Sequence, residues 1–275
     1  MTELVKRYGP NGVFTKQAGT RPIRAWQVWN EPNFKSYWFN KPNAKQYAAF
    51  VKLTRTAIKK GDKKAKIVLA GLPESRSGVP VAKYLTAFYK VRGIKSQFDV
   101  AALHPYAKDE KGVEGGLKRV RGIMNKAGDK RTPIWLTEVG YGSAGEKSPF
   151  TKTVSGQARL LTKTLKLVAA RRSKYRIGMV VWFSLRDRAK LAGERNLWAL
   201  HTGLFTLKGA PKPAWKAFTR FTRGSAGSGS LTGSPTAGGG GTTGPPGSGG
   251  STQPASAPTS NPPPSNCGAI CLPTG

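Results

Sequence analysis

Five short apolar segments recur along the first 223 residues of the chain, and they constrain its fold more than any other feature. Each is rich in Val, Ile, Leu or aromatic residues and shows no clean alternation of apolar and polar positions. That pattern is typical of strands covered on both faces, as in parallel sheets. The predicted strands are 23–31, 66–72, 98–106, 133–142 and 177–185.

Predicted helices separate these strands. The stretch 43–61 is the clearest, because Asn43 can cap its start, Gly61 can end it, and apolar residues recur at helical spacing between them. Strands that alternate with helices are joined by right-handed crossovers and lie parallel, so the fold class is α/β. Two architectures fit: a doubly wound open sheet and a (β/α)8 barrel. The other predicted helices are TELVKRYG near the start, 80–93, 115–128, 155–172 and 212–221.

The last segment of the chain differs in composition from the rest. Residues 224–275 contain no Asp, Glu, Lys or Arg and consist mostly of Gly, Ser, Thr, Pro and Ala. Such a composition cannot bury enough apolar area to offset chain entropy, so we expect a disordered tail. Its Cys267 and Cys271 can form a small local disulfide or remain free thiols. Residues 1–223 are then one folded domain.

The domain is strongly basic. The chain has 46 Lys and Arg against 13 Asp and Glu, a formal net charge of +33. This balance predicts attraction to anionic polymers, which we expect to be non-specific because the basic residues are scattered and no nucleic-acid-binding motif accompanies them. The first residues lack the apolar region of a signal peptide, and no run is long and apolar enough to span a membrane.

Two glutamates each close a predicted strand. Glu31 ends the first predicted strand and Glu138 lies near the end of the fourth, so both reach the carboxyl-end rim of a parallel sheet, where ligands of α/β proteins bind. Cleavage of a glycosidic bond needs such a pair, one carboxyl as acid and the other as nucleophile or base. For either glutamate alone, a helix cap or a chain turn is the simpler interpretation.

The residues around both glutamates resemble one enzyme family. The segments VWNEPN, LHPY, WLTEVGYGS and VVWFSLRD are similar, in this order, to strands four, six, seven and eight of the retaining glycoside hydrolases of clan A. These (β/α)8 families include cellulases, β-mannanases and β-xylosidases. The ending HTGLFTLKGAPKPAWKAF resembles the common ending of such barrels, so the resemblance covers residues 23–221.

The resemblance implies roles for particular residues. Glu31 would be the acid/base, Glu138 the nucleophile, and Asn30 the ligand of the sugar 2-hydroxyl. His104 and Tyr106 would hydrogen-bond the nucleophile or the sugar. The implied substrate is a carbohydrate, and no cofactor or metal is implied.

The remaining tryptophans carry less information. Trp182 would be the platform beneath the sugar by resemblance, with core packing as an equal alternative. Trp26 and Trp29 are more simply interpreted as packing residues, and Trp198 fits either role.

The chain also departs from the family. If 23–31 is strand four, strands one to three have no counterpart, since only 22 residues precede it. We therefore expect a partial barrel of strands four to eight, open sheet edges that favour self-association, and little or no turnover by the chain alone. A start further upstream would supply the export signal of a secreted enzyme.

Two other functions compete with glycoside hydrolysis. One is a non-catalytic basic module that binds anionic polymers. The other is a five-stranded doubly wound domain, which ranks last because no Gly-rich phosphate loop follows the first strand. For the hydrolase we expect the Glu31 and Glu138 carboxyl groups about 5–5.5 Å apart, the separation of retaining enzymes.

Overall fold

A computed structural model describes residues 1–38, 41–74 and 78–225, and the predicted tail beyond Ser225 lies outside the described residues. The strands are β1 (Ala25–Val28), β2 (Lys66–Leu69), β3 (Leu72–Pro73), β4 (Ala101–His104), β5 (Ile134–Val139) and β6 (Ile177–Trp182). The helices are α1 (Thr2–Tyr8), α2 (Val13–Gln17), α3 (Ala44–Gly61), α4 (Val81–Tyr89), α5 (Glu110–Lys126), α6 (Val154–Ala170), α7 (Arg172–Tyr175) and α8 (Pro213–Ser225). Two 3₁₀ turns, Ile94–Ser96 and Trp198–His201, lie in the connections.

All of these strands run parallel. β1 pairs with β2, and β3, β4, β5 and β6 pair in that order. The two groups are connected, because the Leu69 amide donates to the Val100 carbonyl just before β4. The α/β prediction with parallel strands is therefore confirmed.

The predicted strand 66–72 is interrupted between β2 and β3. At the break, the Ala70 amide donates to the Tyr47 hydroxyl of α3, which in turn donates to the Val28 carbonyl. Gly71 follows, and a Cβ at this position would lie 2.0 Å from Nε2 of His104. The break therefore makes space for the His104 ring against the backbone.

The two faces of the sheet pack against different residues. Ile67, Leu103 and Leu136 belong to one large buried cluster that includes the apolar residues of α3, α4, α5, α6 and α8. Their strand neighbours Val68 and Ala102 face the other way and form a small cluster that contains no helix residue. Helices on one face of a parallel sheet are the arrangement of a barrel wall, whereas a doubly wound sheet carries them on both faces.

Most predicted elements agree with these boundaries to within a few residues. Asn43 caps α3 as expected, since its side chain accepts from the amides of Lys45 and Gln46. The clearest difference is α5, which starts at Glu110 instead of 115 because Asp109 caps it through the Gly112 amide. The first turn of α5, before the predicted start, is stabilised by this cap and by the burial of Val113.

Candidate active site

Glu31 is brought into the site by a sharp turn at the end of β1. Trp29 and Glu31 both have positive φ angles, 73° and 45°, in the left-handed region that non-glycine residues rarely adopt. Such conformations cost about 1–3 kcal/mol each and are concentrated at functional sites. The turn leaves Glu31 only 8% exposed, beside the carboxyl ends of the neighbouring strands.

His104, the last residue of β4, connects the site. Its ring is fully buried, with Nδ1 at 2.7 Å from Oε1 of Glu31 and Nε2 at 3.0 Å from the Thr137 hydroxyl. Which ring nitrogen donates in these two contacts depends on the tautomer of His104. Nδ1 also lies 3.6 Å from Oε2 of Glu138, so the ring faces both carboxyl groups.

Glu138 reaches the same space from β5. Consecutive residues of a regular strand face opposite ways, but the register shifts between Leu136 and Val139, and both Thr137 and Glu138 reach the site. The Tyr106 hydroxyl donates to Oε2 of Glu138 at 2.6 Å. This short, charge-assisted bond fixes the orientation of the carboxyl group.

The result is a compact group of two carboxyls and an imidazole. One ligand-type atom from each of Glu31, His104 and Glu138 lies within 4.8 Å of the other two. Atoms this close could also hold a divalent metal ion, although nothing in the sequence requires one. The sequence predicted that these residues would meet at one rim, and the structure places them there.

Burial raises the pKa of Glu138 above its ordinary value. His104 and the Tyr106 hydrogen bond lower the pKa of this carboxyl, while the nearby Glu31 raises it. Because its pKa is raised, Glu138 keeps its proton to a higher pH than a free glutamate does.

Trp182 lies in the hydrophobic core. Its side chain is 2% exposed, donates from Nε1 to the Thr202 carbonyl, and belongs to the large cluster on the helix-covered face. Core packing, one of the two sequence interpretations, is therefore the role that its position supports. Asn30 is partly buried at the strand end beside Glu31.

Trp198 is the tryptophan near the candidate site. It lies in the connection after β6, and its ring centroid is 5.0 Å from that of Tyr106 and 4.8 Å from that of Phe150. Trp26 and Trp29 pack as expected: Trp26 against the large cluster, and Trp29 edge-on to Trp38 and Phe50 although 45% exposed.

Sequence reasoning missed three supporting residues. Thr137 orients His104, Gly71 provides the space for its ring, and Asn33 anchors the Glu31 turn. Asn33 is fully buried and donates from Nδ2 to the carbonyls of Pro73 and Val79. Asn33 lies in the quoted motif VWNEPN and Thr137 in WLTEVGYGS, so proximity to a motif was the available signal for both; Gly71 had none.

Comparisons with known proteins identify the family of the chain. The family model described as glycosyl hydrolase catalytic core matches residues 12–210, and the chain belongs to this family. No curated protein matches the chain. In the part of the chain that the structure describes, no helix has the length and apolarity needed to cross a bilayer.

Several solved structures share the fold. A monomeric β-xylosidase from Caulobacter crescentus is 20% identical with a TM-score of 0.53, over 76% of this chain and 43% of that one. A family GH39 β-xylosidase from the same organism is 18% identical with a TM-score of 0.56, over 81% and 45%. A family 51 α-L-arabinofuranosidase from Bifidobacterium longum is 11% identical with a TM-score of 0.56, over 79% and 50%.

The chain is thus a member of the glycosyl hydrolase catalytic core family, and its fold is a partial (β/α)8 barrel like the corresponding part of these structures. The chain spans half or less of the length of these three structures.

Proposed function

We propose that the site hydrolyses O-glycosidic bonds with retention of configuration at the anomeric carbon. The observation that carries the proposal is the closeness of the two carboxyls, since one oxygen of Glu31 lies within 4.8 Å of one oxygen of Glu138. Retaining enzymes hold the two groups about 5–5.5 Å apart, whereas inverting enzymes leave about 6.5–9.5 Å to accommodate a water molecule.

In the proposed reaction, Glu138 attacks the anomeric carbon while Glu31 donates a proton to the departing oxygen. The Glu138–carbon bond forms, the glycosidic bond breaks, and the aglycone leaves as an alcohol. Glu31, now ionised, then takes a proton from water, whose oxygen displaces Glu138 and regenerates the starting site. Two displacements at one carbon leave its configuration unchanged.

The surrounding contacts support this division of roles. Tyr106 donates to Glu138 at 2.6 Å, which stabilises the ionised form that a nucleophile needs. The positive charge that develops on the sugar ring would lower the pKa of Glu138 further, against the effect of its burial. His104 contacts Glu31 at 2.7 Å and provides a partner for that carboxyl in either protonation state.

The substrate class is proposed from the fold and its neighbours. The similar structures include β-xylosidases and an α-L-arabinofuranosidase, so aryl β-D-xylosides and aryl α-L-arabinofuranosides are the first substrates to test. Trp198 provides the aromatic surface nearest to Tyr106 among the described tryptophans, and we propose that it packs against the bound sugar.

The anomer formed first tests the proposed mechanism. With an aryl β-D-xyloside, we expect β-xylose to be the first product in time-resolved proton NMR, before mutarotation equilibrates the anomers. Retention requires the covalent intermediate that the short carboxyl spacing permits. Initial release of α-xylose would instead mean a single displacement by water and would contradict the retaining assignment.

We also propose that turnover by this chain is slow. Among the described strands, β1 pairs only with β2, so the strand that carries Glu31 has one open edge. A frayed strand end loosens the distance between the carboxyls, and catalysis is sensitive to displacements of about 1 Å. We expect kcat/KM at least about 10²-fold below that of an intact β-xylosidase assayed beside it, in line with that sensitivity. Comparable values would show that the open edge does not matter, or that two chains associate through their sheet edges to complete the site.

A further inference from the structure

A cavity lies at the opposite end of the strands from the glutamates. It has a volume of about 690 Å³, and its charged lining comprises Lys6, Arg24, Asp62, Lys63 and Lys64. We call it the basic cavity. Its size is within the range of about 300–1,000 Å³ that ligand sites commonly have.

The position of the basic cavity follows from the chain order. Arg24 directly precedes β1, and residues 62–64 lead into β2, so these side chains surround the amino ends of both strands. Glu31, His104 and Glu138 lie at or beyond the carboxyl ends. β1 has four residues, and at about 3.3 Å per residue the two sites are separated by roughly 13 Å of strand.

The charges of the basic cavity are unevenly compensated. Asp62 is 9% exposed and already engaged, since both of its carboxylate oxygens accept from Nη1 of Arg24 at 3.2 and 3.3 Å. Lys63 and Lys64 are exposed, and neither side chain has an ion pair or hydrogen bond within the described ranges. Lys6 pairs with Glu3, but both side chains are largely solvated and the pair is therefore weak.

The rest of the lining shows what kind of ligand this charge can attract. Val5, Pro10, Asn11, Gly12 and Gly61 complete the wall, which contains no aromatic ring. Single-stranded nucleic acids are usually bound by aromatic side chains on which bases stack, and sugar rings also pack on aromatic faces. A wall without such rings recognises its ligand by charge and hydrogen bonding, through pendant anionic groups.

We propose that the basic cavity binds the carboxylate or sulfate groups of an acidic polysaccharide, as a tethering site remote from the catalytic carboxyls. Lys63 and Lys64 supply most of the attraction, and Lys6 adds to it because its pair with Glu3 is weak, whereas Arg24 and Asp62 offset each other. A concave site can enclose a charged sugar unit, whereas a general basic surface cannot. The choice of polysaccharide over other polyanions rests on the proposed glycosidase function, but the cavity and its charge do not depend on that function.

The test compares two double variants with the same charge change. K63Q/K64Q removes both unpaired cations of the basic cavity. K118Q/K126Q removes two exposed lysines of α5 and serves as the matched control. Binding of a heparin-derived octasaccharide to the full chain is measured at several salt concentrations, with the neutral xylo-oligosaccharide of equal length beside it.

We expect K63Q/K64Q to lower the affinity for the sulfated octasaccharide by roughly tenfold at low salt. The slope of log affinity against log salt concentration should become shallower by about 2, which is about 1 per lysine removed. The control should change neither quantity by more than about twofold, since lysines outside a binding site make no fixed contact with the ligand. Equal losses in both variants would overturn the proposal in favour of a uniformly basic surface.

Two further results would overturn the assigned ligand class. One is that single-stranded DNA of equal charge binds more tightly than the sulfated octasaccharide and that K63Q/K64Q weakens this binding. The other is that the neutral oligosaccharide binds as tightly as the sulfated one. The measurement is repeated with E138Q, which we expect to bind the octasaccharide as the unsubstituted chain does. Binding is scored without turnover, so an inactive catalytic site would leave this test intact.

Discussion

Removal of the Glu138 carboxyl should lower turnover of an aryl glycoside by at least about 10³-fold, because the covalent step then has no nucleophile. A positioned acid or base contributes about 10²–10⁴-fold, and loss of the attacking group should cost no less. The variant to test is E138A, and its turnover is measured with an activated aryl β-D-xyloside at high enzyme concentration.

Azide distinguishes the roles of the two carboxyls. In E138A, a small anion fits the space of the missing side chain and attacks once, so we expect a glycosyl azide of inverted configuration. In E31A, Glu138 still forms the covalent intermediate, and azide then displaces it, so we expect the retained configuration. If the two variants gave the opposite pattern, Glu31 would be the nucleophile and the role assignment would be wrong.

Glu74 offers the matched control for these variants. Like Glu31 and Glu138, Glu74 occurs at a strand end, since it follows β3 directly. Unlike them, it is half-exposed and pairs with Arg119 on α5. E74A should retain turnover within about threefold, the range expected for a surface substitution outside the site. A loss comparable to that of E138A would mean that the catalytic carboxyls have been misidentified.

Removal of Asp187 should destabilise the fold by about 3–5 kcal/mol, because it leaves the ammonium of Lys212 buried without its charged partner. Lys212 is 4% exposed, and its Nζ donates to Asp187 Oδ1 at 2.7 Å, to the Ser143 hydroxyl at 2.9 Å and to the His201 carbonyl at 3.2 Å. Burial lowers the pKa of Lys212, and Asp187 counteracts that effect.

The same ion pair stabilises the connection that carries Trp198. Asp187 and Lys212 lie near its two ends, and the Gly203 amide also donates to Asp187. D187A should lower the melting temperature by roughly 10 °C, since 1 kcal/mol corresponds to about 2–4 °C in a domain of this size. It should also loosen Trp198 against Tyr106, so residual folded protein should show a raised KM for the aryl glycoside.

An exposed ion pair in the same connection is the control for D187A. Arg195 pairs with Glu146, and both side chains are substantially solvated, so E146Q should leave the thermal transition essentially unchanged. An unchanged transition in D187A as well would show that Lys212 finds solvent or another partner, and that the buried pair is not a stability determinant.

The sequence by itself determined the fold class and the meeting of the two glutamates. Apolar runs bounded by turn formers predicted parallel strands that alternate with helices, because strand and helix periodicities are local properties of the chain. Since the ends of parallel strands share one rim, Glu31 and Glu138 could be predicted to meet although 107 positions separate them. The cap at Asn43 was predictable for the same local reason.

Other features depended on contacts between distant parts of the chain. The close approach of the His104 ring to Gly71 depends on the pairing of β3 with β4, and the position of Trp182 on the helix-covered face follows from the strand register. Thr137 contacts His104 only because β5 is irregular at that point. The Lys212–Asp187 pair is buried because the connection after β6 folds back over Ser143 and His201. Sequence periodicity reports which face of an element is apolar, but only the packed tertiary structure determines what that face contacts.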